Sequence, residues 1–99
     1  MRLEFDDEDL RRLYEEPAFH LKKIGHELTK AYRKKVGIIV SAEDERDLYA
    51  MKSLHLEKLA GDREGQHSIR LNDQWRLILK LNKQPDGTIV AIIEIADYH

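Results

Sequence analysis

From Leu10 to Leu54 the apolar residues recur mostly at three- and four-residue steps, and from His67 onward they fall on every second position. Helix faces repeat every 3.6 residues and strand faces every two. The change of period lies around one glycine-bracketed turn, Gly61-Asp-Arg-Glu-Gly65. A chain that switches period once in this way predicts helices first and a sheet second, which is an α+β arrangement.

Arg2-Leu-Glu-Phe5 alternates and reads as a short strand. Asp6 is the predicted N-cap of a helix carrying Leu10, Leu13 and Tyr14, with acidic residues at its positive end and Pro17 as its stop. A second helix is predicted from Phe19, its stripe made of Leu21, Ile24, Leu28, Ala31 and Tyr32. Val36-Gly-Ile-Ile-Val40 is ambiguous: Val36 and Ile39 continue the stripe, which favours a helix ending near Val40, but the β-branched run and Gly37 would also suit a strand. The basic residues of that stretch fall mostly off the stripe and are read as a solvated face. Ser41-Ala-Glu-Asp44 resembles a capping signature before a third stripe of Leu48, Met51 and Leu54. Three strands follow: one at Gln66–Leu71, one at Trp75–Leu81, and an almost wholly apolar one from Thr88 to Ala96. Asn72-Asp73 and Pro85-Asp86-Gly87 mark the two turns between them. A strand apolar on both faces belongs inside a sheet. The expected fold is a short N-terminal strand and two to three helices packed on one face of a small, mainly antiparallel C-terminal sheet.

Ninety-nine residues make a single domain, 1–99, with one modest core. There is no cysteine, which excludes disulfides and thiolate metal sites. No apolar run is long enough to span a bilayer, and the first residues lack a signal peptide's apolar centre, so no membrane association and a cytosolic location are expected. The net charge of −2 speaks against non-specific coating of nucleic acid, but it hides blocks: residues 1–19 carry −4 and residues 20–40 carry +5.

Polar chemistry concentrates in residues 54–76. Arg70 and Arg76 share the polar face of two joined strands, where two guanidiniums can fork around a phosphate or carboxylate. The competing assignment is a cross-strand ion pair with Glu94. Lys58, Arg63 and Gln66 flank the same region. The two glycines, with no helix after them, do not make a triphosphate-binding loop. Of the five histidines, His20 and His26 read as surface residues and His67 as a hydrogen-bonded core residue. His55 precedes the glycine turn, and His99 follows Asp97 by two, so these are the acid–base candidates. A zinc site of His55, Asp97 and His99 is the rival, without the short paired spacing such sites use. No metal or other cofactor is expected.

The run Leu54-His55, Glu57-Lys58-Leu59, Gly61-Asp-Arg-Glu-Gly65-Gln66, Ser68-Ile69-Arg70 and Asn72-Asp73-Gln74-Trp75-Arg76, ending in Asp97-Tyr98-His99, resembles the HigB branch of the RelE-like toxins. These belong to bacterial toxin–antitoxin systems and are also described as plasmid-maintenance killer proteins. The resemblance is specific over residues 54–99 and extends to the earlier residues only in general plan. It implies a RelE-like fold and a ribosome-dependent endoribonuclease that cuts messenger RNA. It also implies a helix-turn-helix antitoxin (HigA-like) as partner, through which alone the protein would reach operator DNA. By the same resemblance His55, Asp97 and His99 are the acid–base set, and Tyr98 stacks on or orients a nucleotide. Lys58, Arg63, Arg70 and Arg76 hold phosphates, Arg76 or Arg70 stabilising the charge that builds during cleavage.

The residue types suit that chemistry independently. A base that takes the 2′-hydroxyl proton of RNA lets the oxygen attack the neighbouring phosphorus, and a guanidinium can stabilise the phosphorane without a metal. The other reading is a non-catalytic module binding RNA or protein through the same basic face. Such binders usually expose aromatic residues, whereas most of the seven here have core-side positions. Toxicity on expression, compared with His99→Ala, separates the two.

Overall fold

The computed structural model describes residues 1–97; Tyr98 and His99 lie outside the described residues. Three helices and five strands follow one another as β1 (Arg2–Phe5), α1 (Glu8–Glu15), α2 (His26–Ser41), α3 (Glu45–Ala50), β2 (Glu57–Lys58), β3 (His67–Arg70), β4 (Trp75–Gln84) and β5 (Gly87–Asp97). The strands form one sheet in the order β1-β5-β4-β3-β2. Only β1 runs parallel to its neighbour, β5; the other pairs are antiparallel. The expected meander is therefore present, and β5 lies inside the sheet as its two-sided apolarity requires. No helix among the described residues is long and apolar enough to cross a membrane.

One sheet face carries the core. Ile69, Leu71, Leu77, Leu79, Val90 and Ile92 meet Leu10 and Leu13 of α1, Leu28, Tyr32, Val36 and Ile39 of α2, and Leu48 of α3. Val36 and Ile39 lie within α2, so the β-branched run after Lys35 is helical, as its stripe predicted. Buried Tyr32 donates its hydroxyl to Leu10 O at 2.7 Å, bolting α2 to α1.

Several boundaries differ from expectation. The cap of α1 is Asp7, which accepts from Asp9 N and Leu10 N at 2.7 and 3.2 Å; Asp6 instead donates its backbone N–H to Ile92 O, extending the β1–β5 ladder. The second helix starts after Gly25, not at Phe19. A helix from Phe19 would have carried two interior glycines, each costing about 1 kcal/mol against alanine. The Phe19–Gly25 segment instead crosses as an irregular strap, and Phe19, Leu21 and Ile24 still pack on the core. Met51 does not join the third stripe: it is the exposed C-cap of α3, while Leu54 is buried from a separate 3-10 turn, Lys52–Leu54.

The basic residues of α2 are not uniformly solvated. Arg33 donates Nε to Leu13 O at 2.7 Å and Nη2 to the carbonyls of Glu16, Pro17 and Phe19 at 3.3, 3.2 and 3.0 Å. It thus closes the carbonyl end of α1, which has no further turn of helix to satisfy it.

The alternation of β5 breaks once. Ile78 faces Glu94 but Leu79 faces Ile92, so Ile93 is the extra residue of a bulge. Unbroken alternation would have put Glu94 in the core beside Val90 and Ile92. The bulge turns it to the open face and sends Ile95 to the core in its place.

Candidate active site

The site is assembled from the open sheet face and the segment leading into β2. Buried Leu54 anchors that segment. His55 then takes a left-handed conformation, φ 48° and ψ 52°, as the one non-glycine residue among those described with positive φ. Such a conformation costs about 1–2 kcal/mol for an L-residue. It directs the chain from the 3-10 turn into β2 and leaves the histidine exposed.

β2 is an edge strand that the sequence reading missed. Its two residues pair with β3, Glu57 opposite Ser68 and Lys58 opposite His67. Lys58 thus lies three residues along the ladder from Arg70. The turn that follows needs its glycines, since Gly61 and Gly65 have φ of 64° and 88°. Between them Arg63 donates Nη1 to Gln66 Oε1 at 3.0 Å and forms an ion pair with Glu94. The partner of Glu94 is therefore Arg63, not Arg70 or Arg76. The register explains it: Glu94 belongs to the rung of Ser68 and Ile78, beside the turn that carries Arg63. Ser68 and Ile78 on this rung are fully buried although they belong to the open face.

Arg70 and Arg76 are direct cross-strand partners. Arg70 pairs with Asp73 of the connecting turn, where Asn72 Oδ1 accepts from Gln74 N and Trp75 N, both at 2.8 Å. Arg76 donates Nη1 to His55 O at 3.4 Å. Three of the candidate residues, His55, Arg70 and Arg76, are thereby brought together. Asp97 ends β5 opposite Trp75, one rung beyond the Arg76–Ala96 pair, and accepts from Gln74 Nε2 at 3.2 Å. Alternation points Asp97 and Arg76 to opposite sides of the sheet at this rim. Tyr98 and His99, and with His99 the suggested zinc trio, lie outside the described residues.

Lys35 was not singled out by sequence, being one of six basic residues in its block. It is half-buried, and its Nζ donates to Ser53 O at 3.3 Å, two residues before His55. Burial lowers its pKa, and the charges of Lys34 and Arg70 lower it further.

His67 is buried as its parity predicted, but neither ring nitrogen has a hydrogen-bond partner among the described residues. Its pKa is lowered chiefly by desolvation; Glu45 opposes the shift and Lys58 adds to it. It is a packing residue held neutral, facing away from the guanidinium pair.

Residues 3–99 match the model of the HigB-like toxins, described as the RelE-like toxin HigB of type II toxin–antitoxin systems. Toxin HigB-1 of Vibrio cholerae serotype O1 is 36% identical over 80 residues, covering 81% of this chain and 83% of the relative. Among solved structures, YafQ from E. coli strain BL21(DE3) superposes with a TM-score of 0.63 at 11% identity, covering 98% of this chain and 93% of the other. A YoeB/ParE toxin from Agrobacterium tumefaciens gives 0.56 at 13% identity over the whole of both chains. These likenesses in structure agree with a RelE-like fold, and a toxin of this class has an antitoxin for a partner. The chain belongs to the HigB-like family of RelE-like toxins from type II toxin–antitoxin systems.

Proposed function

We propose that this chain is an endoribonuclease that cuts messenger RNA on the ribosome by attack of the 2′-hydroxyl, with no metal ion in the reaction. The observation that carries the reading is the Arg70–Arg76 pair on an exposed sheet face, with the His55 segment tethered to Arg76. Two adjacent guanidiniums offer paired donors to non-bridging phosphate oxygens, and they oppose the negative charge that grows in the phosphorane. Arg63 extends this electropositive track by exchanging Glu94 for phosphate, whereas Lys58, opposite His67, is turned to the other side of the sheet.

In the proposed step His99 removes the 2′-hydroxyl proton, since Asp97 is turned away from Arg76 at the sheet rim. The oxygen bonds to phosphorus, and the bond to the 5′-oxygen breaks. A histidine, His55 or His99, returns a proton to that leaving oxygen, while Tyr98 stacks on a neighbouring base. The products are a 2′,3′-cyclic phosphate and a 5′-hydroxyl. The partner that silences the chain is a helix-turn-helix, HigA-like antitoxin, which also carries it to operator DNA. The site of action is the cytoplasm, where message and ribosomes are.

The test combines purified protein, programmed ribosomes and message in a chelator, with both cut ends mapped. Cleavage should persist in the chelator, leave a 5′-hydroxyl, and fail on message 2′-O-methylated at the cut position. It should also fail with His99→Ala. Ends bearing a 5′-phosphate that vanish with chelator would mean a metal-dependent hydrolase. Binding without any cleavage would leave the non-catalytic module.

A further inference from the structure

A groove of about 470 Å³ opens beside the rim of the sheet, between α1, the Phe19–Gly25 strap and the start of β4. Its size is within the range of small-ligand sites, about 300–1,000 Å³. Leu10, Leu21, Ile24, Ile95 and the half-buried indole of Trp75 supply apolar surface, with Lys22 and Lys23 on the strap. Two carboxylates also line it, Asp7 and Asp9, with Asp7 engaged in capping α1. Glu94 borders the groove too, but its carboxylate is turned to the open face and pairs with Arg63. Neither lysine has an ion-pair or hydrogen-bond partner among the described residues. An aromatic shelf with two uncommitted ammoniums is chemistry suited to a nucleotide: a base on the indole and a phosphate at the lysines. Trp75 is also the register partner of Asp97 and the chain neighbour of Arg76, so the groove adjoins the proposed cleavage centre.

We infer that this groove is a nucleobase subsite for a residue of the RNA flanking the scissile phosphate, with Trp75 stacking the base and Lys22 and Lys23 holding its phosphate. The inference rests on the reading that the substrate is single-stranded RNA. It adds a binding element on the helix-covered side of the sheet, away from the guanidinium pair, so the strand must bend around the rim at Asp97. Base stacking of this kind tolerates any sequence, since every base has a π-face. The groove therefore contributes affinity and register.

Trp75 is the only tryptophan, so its fluorescence reports the groove directly. The probe is a short single-stranded RNA, 2′-O-methylated at every position so that it cannot be cut. Saturable quenching is expected, weakened about tenfold by Lys22→Ala with Lys23→Ala, two exposed positions. An abasic oligomer of equal length and charge should leave the emission unchanged. RNA that binds by anisotropy without altering Trp75, binding indifferent to the lysines, or no binding up to millimolar concentration would each overturn the inference. Quenching by the antitoxin but not by RNA would assign the groove to protein docking, with the same result. The two readings fail separately. Quenching without cleavage of unmodified message on ribosomes removes the catalytic reading and leaves the subsite standing, whereas cleavage with Trp75 unperturbed does the reverse.

Discussion

Arg70 and Arg76 stand directly opposite each other across β3 and β4, two like charges in a position where a sheet ordinarily places opposite ones. The repulsion works against the fold, by about 0.5 kcal/mol on the usual scale of such pairs. Each guanidinium is drawn aside by its own acceptor, Asp73 for Arg70 and the His55 carbonyl for Arg76.

Removing either arginine should therefore cost activity and not stability. Arg76→Ala or Arg70→Ala is expected to lower cleavage on programmed ribosomes by about 10²–10³. Melting temperature should move by no more than a few degrees. Arg76→Lys should recover only part of the rate, since a point charge lacks the planar pair of donors. An Arg76→Ala protein that no longer folds would make the His55 tether structural and remove the phosphate assignment.

His55 allows imidazole chemistry and backbone strain to be tested apart. Glycine accepts φ 48° freely, so His55→Gly should keep stability within about 1 kcal/mol of the parent. Cleavage should fall by about 10²–10⁴ if the ring is an acid or base. His55→Val places a β-branched residue in the same conformation and should destabilise the fold. Full cleavage by the glycine variant would clear His55 of any catalytic duty.

A pH dependence of stability follows from His67. Its folded pKa is depressed by burial below the unfolded value of 6.5. The unfolded chain then binds a proton that the folded one refuses, so stability is fully present above about pH 6.5 and declines as pH falls toward the folded pKa. Urea midpoints at pH 7.5, 6.5 and 5.5 should show this decline. His67→Leu should flatten it, and should raise the midpoint at neutral pH because two unpartnered ring nitrogens are removed. An unchanged slope in that variant would mean other groups carry it.

Arg33→Ala tests whether α1 needs closing from outside. The side chain serves four carbonyls at once, so its loss should cost about 2 kcal/mol. In a chain of this size that lowers the melting temperature by on the order of 10 °C. Arg33→Lys should rescue less than half, having one donor group where the guanidinium spans several acceptors. A neutral alanine variant would show that water serves those carbonyls equally well.

Period and turn chemistry made the meander legible, and alternation alone put Arg70 and Arg76 on one face. What stayed hidden depended on single-residue events. β2 has two residues, too few for any periodicity to register. One extra residue at Ile93 decides which face Glu94 occupies, and an apolar run offers no mark of where its phase slips. Gly25 shortened a helix whose stripe continued past it, because Leu21 and Ile24 reach the core without helical geometry. Lys35 reaches the segment before His55 only because α2 passes close to Ser53, a relation between distant segments that local pattern does not encode.

The parallel pairing of β1 with β5 sets an order of events during synthesis. Arg2–Phe5 emerges first from the ribosome, yet its partners are residues 89–92. Closing a loop of that span is slow relative to forming helices or hairpins. The earlier strand must wait, unpaired, until residues 89–92 have also been made. A nascent chain of this kind cannot complete its sheet from its helices and first strand alone.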